Sequence, residues 1–246
     1  MTNKNLFDAV EDEETEIPSA PAGGSIQTVL QAAISEMKDE FPNAIPLEIT
    51  SLISGETVEL IGSISDIQMN WGLNWNEEQV YGRIDAIPTY SNTQRTVSFT
   101  LNLLSPEIGS SDSLLQSKAN MLILQKIANM CYPGYQQETG GFNYAVLKSA
   151  PLIQVKMGNI LCNPDRGPLT AYMRSFNYTL QNTGLYKLSG MVEGDEQQQE
   201  KIAFYNRISV SFDFGILHDF DVGFDGEGNE FESAKKYPFG LGDEDV

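Results

Sequence analysis

His218 is the only imidazole in 246 residues, and it stands at a corner, His218-Asp219-Phe220-Asp221, after a long run of alternating residues. Hydrolysis or group transfer near neutral pH needs a nucleophile, a base within hydrogen-bond reach of it, or a metal. The chain carries no nucleophile elbow, no P-loop and no dinucleotide fingerprint. His218 therefore reads as a turn residue. The 34 Asp and Glu residues leave an acid pair of the glycosidase kind open by number alone.

Three other groups of residues have types that can bind. The segment DVGFDGEGNEFE places Asp221, Asp225, Gly226, Asn229 and Glu232 at positions one, five, six, nine and twelve of a calcium loop. Gly223 occupies position three, where an acid or amide belongs, and SAKKYPFG after it gives no exiting helix. The bland alternative is a Gly/Asp-rich hairpin or terminal loop. Trp71, Trp75, Tyr81 and Tyr90 would suit a sugar-binding face, or act as core or subunit-interface anchors. Cys131 and Cys162, with a single histidine, make no zinc site and read as buried free thiols. No catalytic, cofactor-binding or metal residue is assigned, and no cofactor is expected.

The elements that must position these residues are mostly strands. Val97, Phe99, Leu101 and Leu103 alternate with Ser98, Thr100 and Asn102, the period of a half-buried strand. A Gly/Ser-rich stretch follows, and then the period changes. Leu115, Ala119, Leu122, Ile123, Ile127 and Met130 fall at helical spacing, with Ser111, Asp112 or Ser113 as the cap and Pro133-Gly134 as the stop. That spacing predicts one amphipathic helix of about five turns.

Strand patterns fill the rest: Leu47 and Ile49, then Thr57–Ile67 and Gln68–Trp75 bent at Gly62 and Gly72, with PTYSNTQ a loop before the main strand. Later come Leu152–Met157, then Leu169–Leu180, with Tyr172, Phe176, Tyr178 and Leu180 on one side and a QNTG turn. Ile208, Val210, Phe212, Phe214 and Ile216 form the last long strand. The fold class is α+β, an antiparallel β-barrel or sandwich with one flanking helix.

Thirty-four acids against 15 bases give a net charge of −19, which repels nucleic acid and anionic membrane. No apolar run reaches membrane-spanning length. The opening MTNKNLFDAVEDEETE resembles neither a signal nor a transit peptide, so a protein made and kept in the cytosol is expected. Residues 1–24 read as a disordered acidic tail, with a short helix possible over 25–41. Residues 25–220 read as the β domain and 221–246 as an acidic, Gly-rich extension.

Taken in order, NWNEEQVYGRIDAIPTY, TQRTVSFTLNLLS, a helix ending NMCYPGY, APLIQVKMGNIL, LTAYMRSFNYTL and FYNRISVSFDFGILHDF form a recognisable series. Over about residues 44–220 this resembles the tail tube initiator and tube-to-baseplate junction proteins of contractile-tailed bacteriophages. The resemblance implies a tail-tube-type fold in a six-fold ring at the baseplate hub, in the virion tail, with no enzyme activity. The ring would template tail tube polymerisation and contact itself, the tail tube protein and hub proteins, but no membrane. DNA would pass through an acidic lumen, with Glu77, Glu78, Asp85 and Asp213 as candidates to face it. Contacts between copies are expected from strand edges and from loops 84–95 and 134–144, with Arg95 a candidate for an inter-subunit ion pair. The alternative is a virion carbohydrate-binding or carbohydrate-cleaving β-domain built on the aromatic set and the acids; a third is a calcium-dependent interaction module.

Overall fold

Val97, Phe99, Leu101 and Leu103 are all buried in strand β4 (Ile87–Leu104), with half-buried Ser98, Thr100 and Asn102 between them. The computed structural model describes residue 35 and residues 45–104, 111–136, 146–189 and 201–242. The expected tail over 1–24, all of the 25–41 helix but residue 35, and most of the 134–144 loop lie outside the described residues.

Ahead of β4 come β1 (Leu47–Ser51), β2 (Thr57–Leu60) and β3 (Ser63–Glu78). Helix α1 (Ser111–Met130) and the short pair β5 (Gly134–Gln136) and β6 (Val146–Ser149) follow it. Then come β7 (Leu152–Lys156), β8 (Leu169–Ser189), β9 (Lys201–Ile216) and a five-residue helix α2 (Glu232–Lys236). The main sheet has the order β2-β1-β7-β8-β9-β4-β3 and is antiparallel throughout. Among the described residues it does not close into a barrel: β2 and β3 are free edges.

One face of this sheet carries the core. Phe99 packs its ring 5.5 Å from Phe212 and 5.9 Å from Phe214, and Phe176 lies 5.6 Å from Phe212. Such pairs add about 0.5–1.5 kcal/mol each beyond the area they bury. Helix α1 lies on β9 and β2 and buries Ala119, Ile123, Leu124, Ile127 and Met130. Leu122, expected on that face, is only half-buried, and the polar Gln116, Ser117 and Asn120 are buried instead. Lys126 ties the helix to the β1–β2 turn through an ion pair with Glu56. No helix among the described residues is long and apolar enough to cross a membrane.

Several boundaries differ from the sequence pattern for local reasons. Gly62 does end the β2 segment, because a Cβ there would sit 2.5 Å from the carbonyl oxygen of Asn102. Gly72 does not bend β3; the ladder slips instead between Ser65 and Gln68, where Asp66 takes a positive φ of 56°. PTYSNTQ is strand, because β3 offers a partner from Trp71 to Glu78, interrupted by one slip between Asn74 and Trp75 that passes over Ser91. QNTG makes no turn either: β8 runs through it with a register slip between Gln181 and Leu185. A second slip, between Met173 and Ser175, turns Tyr172 to the face opposite Phe176.

Candidate assembly surfaces

Strand β9 joins β4 only from Arg95 onward, where Arg95 pairs with Ile216. Beyond that row β3 and β4 continue alone as a two-stranded arm, pairing from Gly72 with Gln94 out to Glu78 with Ile87. Alternation along β3 carries the core face onto the arm as Trp71, Leu73 and Trp75. Trp75 meets Tyr90 edge-on across the ladder at 5.3 Å. Leu73 is 60% exposed and Trp75 51%, while Tyr81 and Ile84 at the tip are wholly exposed. An isolated two-stranded hairpin is marginal in water, and an exposed apolar patch of this kind marks an interaction site.

Arg95 closes the base of the arm. Its position on β4 is in phase with Val97 and Phe99, so it points into the core and is wholly buried. The guanidinium lies 5.0 Å from the ring centroid of Tyr237 and 5.6 Å from that of Trp71. Its Nη2 donates to the sulfur of Met69 at 3.6 Å, while Nε and Nη1 make no hydrogen bond. Arg95 was expected to be a surface ion-pair partner; the structure places it inside an aromatic cage with no carboxylate paired to it among the described residues. Cation–π contacts of about 2 kcal/mol when desolvated offset part of the cost of burying its charge.

The cage is completed from the C-terminal side. Trp71 Nε1 donates to the Tyr237 hydroxyl at 3.3 Å, and His218 Nε2 lies 2.9 Å from the same oxygen. Burial lowers the His218 pKa, Arg95 lowers it further, and Asp219 opposes both. The imidazole is also packed edge-on against Phe220 and Tyr237. His218 is thus a packed corner residue, as its place in the sequence suggested.

The opposite face of the sheet is a polar carpet. One row reads Ser65, Thr100, Ser211, Asn177; its neighbours read Gln68, Ser98, Asp213, Ser175 and Ser63, Asn102, Ser209, Thr179. Many of these groups bond one another: Thr100 with Ser211 at 3.1 Å, Ser209 to Asn102 at 2.9 Å, Asn177 to Ser175 at 2.7 Å. Of the acids expected on one surface, only Asp213 lies here, 3.8 Å from Arg174. Glu77, Glu78 and Asp85 are exposed at the tip of the arm. The four carboxylates are not brought together.

The calcium template folds as a hairpin. Phe224 bridges Glu230, and Asp225 spends its carboxylate on the turn: Oδ1 accepts from the N–H groups of Glu227 and Asn229, and Oδ2 from the Asn229 side chain. Those bonds hold the Asp225 pKa below its ordinary value, the Asn229 side chain contributing most. Glu232 instead opens helix α2 and pairs with Lys235. Among the described residues no group of three or more acids, histidines or cysteines is placed to hold a metal ion. Cys162 is buried and Cys131 half-buried, both as free thiols.

No family model matches this chain, and no curated protein does. Solved structures do match. One is a chain from the tail of an empty GTA particle, computed with helical refinement in C6 symmetry, at 9% identity and a TM-score of 0.29, covering 72% of this chain and 93% of that one. Another comes from the six-fold symmetrised baseplate of the anti-feeding prophage (AFP), at 5% identity and a TM-score of 0.28, covering 71% and 89%.

Proposed function

We propose that this chain is a non-enzymatic structural subunit of a contractile phage tail, forming a hexameric ring at the junction of tube and baseplate hub. In this reading the ring initiates tail tube polymerisation, contacts the tail tube protein and the hub, and lets DNA pass through its centre. The observation that carries it is the open sheet with a protruding apolar arm. A subunit whose sheet has two edges unpaired among the described residues, and whose arm exposes Leu73 and Trp75, is completed by further copies, since exposed edges otherwise aggregate. The ordered motif series over residues 44–220 supplies the kind of assembly.

The polar carpet suits the wall of the channel. Over its central rows the hydroxyls and amides bond one another and Asp213 lies against Arg174, while Glu48 and Glu59 add carboxylates on the same face toward β2, so it presents little for a polyanion to hold. A net charge of −19 per copy adds general repulsion. Passage without adhesion then comes from paired side chains on the wall more than from an acid-lined one.

The carbohydrate reading finds support in the exposed Trp75 and Tyr90. Trp71 is less suited to it, because its ring lies against Arg95 and its N–H is donated to Tyr237. Removing the chain from assembling particles tests the proposal. Baseplates without tubes are expected; tails of normal number and length would overturn it.

A further inference from the structure

The arm has an apolar counterpart on the far edge of the same sheet. In the β1–β2 turn Leu52 and Ile53 are 48% and 43% exposed. The β5–β6 pair lies against them, since a Cβ on Gly134 would be 3.4 Å from Ile53 Cγ2, and its facing residues Tyr135 and Leu147 are 54% and 65% exposed. Exposed Lys148 follows directly. Register places the two patches on opposite lateral edges with their bases in one row, Arg95–Ile216–Ala171–Ile153–Ser51.

We infer that the β3–β4 arm of one copy docks on the β1–β2 and β5–β6 corner of a second copy. Leu73, Trp75 and Tyr90 cover Leu52, Ile53, Tyr135 and Leu147. The acidic arm tip, with Glu77, Glu78 and Asp85, comes near Lys148. In a chain of net charge −19 two copies repel unless acids meet cations, and Lys148 at the corner gives the three acids of the tip, which also carries Arg83, one cation to meet. A partner with one patch would leave the other bare; a second copy covers both in turn. The contact is heterologous, with different surfaces on the two sides, and such contacts close into rings when the rotation allows. This inference rests on the ring reading and adds the surfaces to it.

The test is a photo-cross-linker at an exposed arm position, Leu73→p-benzoylphenylalanine, in the full-length chain. Copies labelled with nitrogen-14 and nitrogen-15 are mixed at high concentration, irradiated and mapped by mass spectrometry. Mixed-isotope cross-links to Leu52, Ile53, Tyr135 or Leu147 are expected. Lys148→Glu should reduce them severalfold, and Glu78→Lys in the same chain should restore them. Cross-links confined to one copy, cross-links elsewhere on a second copy, or no cross-link at all would overturn the inference. The same irradiation of purified particles separates the two readings. Particles that hold the chain but lack this cross-link end the docking surface and leave the ring. Particles without the chain end the ring reading, and the purified chain then decides the contact on its own.

Discussion

Trp71 and Arg95 face each other across the β3–β4 ladder, with the Arg95 guanidinium 5.6 Å from the Trp71 ring centroid and 5.0 Å from that of Tyr237. The arm therefore joins the core through a buried cation that has no carboxylate partner among the described residues. Burying such a charge costs several kcal/mol before its contacts are counted.

Arg95→Met keeps most of the volume and removes the charge. Its urea midpoint should equal or exceed that of the parent, because a hydrophobic replacement of a buried charge is often neutral or stabilising. Arg95→Ala should lose roughly 2–4 kcal/mol by leaving a cavity. Equal losses in both would show that the cation–π contacts outweigh desolvation.

The lowered pKa of His218 has a consequence for stability against pH. Burial and Arg95 disfavour its charged form in the folded chain, with Asp219 opposing. Below the ordinary histidine value of about 6.5 the unfolded chain takes up a proton that the folded chain resists. The contribution of neutral His218 is thus complete above about pH 6.5 and is lost as pH falls through the lower folded value. Denaturation midpoints of the parent and His218→Gln, compared from about pH 7.5 down to 5, should converge on the acid side. A difference that holds constant or widens there would contradict this.

In the core, Phe99→Ala should cost about 3–5 kcal/mol and Ile127→Ala about 2–5 kcal/mol. Leu122 was expected to match them, but it is half-buried, so Leu122→Ala should cost less than about 2 kcal/mol. Denaturant titration of the three variants gives the order directly. A loss at Leu122 equal to that at Ile127 would place the helix face wrongly.

Gly215 lies under the ring of Tyr172, where an added Cβ would come within 2.3 Å of the ring carbon Cζ. Gly215→Ala should destabilise by about 1–3 kcal/mol through overpacking. Removing the ring with Tyr172→Ala should make the same change at Gly215 nearly silent. Additive losses in the double variant would remove this contact from the account.

Much of the sheet was legible because a buried face imposes a period of two. Val97 to Leu103 and Ile208 to Ile216 follow it without a break. The burial of Arg95 was legible by the same rule, since it is in phase with Val97; its charge suggested a surface place, but strand phase decided. Tyr172 was misplaced because the slip beside Arg174 inserts a residue, and a strict period carries no sign of that. PTYSNTQ has the composition of a turn, yet it has β3 to pair with, and long-range pairing overrides local preference; QNTG falls in the register slip between Gln181 and Leu185, inside a strand paired on both sides of it. Closure of the sheet was beyond the pattern, because alternation fixes which way residues face and leaves open which strands end up as edges. Of the candidate surfaces, the arm was read as loop 84–95 with an aromatic set before it, so its strand pairing was missed; the cage at its base was missed too, because Tyr237 and His218 come to Arg95 from far along the chain.

The central claim is that copies of this chain form one closed ring in a tail. Quantitative mass spectrometry of purified virions tests it most directly, by counting copies per particle against a tail protein of known number. The account predicts about six copies per tail, as one closed six-fold ring requires. Absence of the chain from purified virions would contradict it, as would a count that scales with tube length.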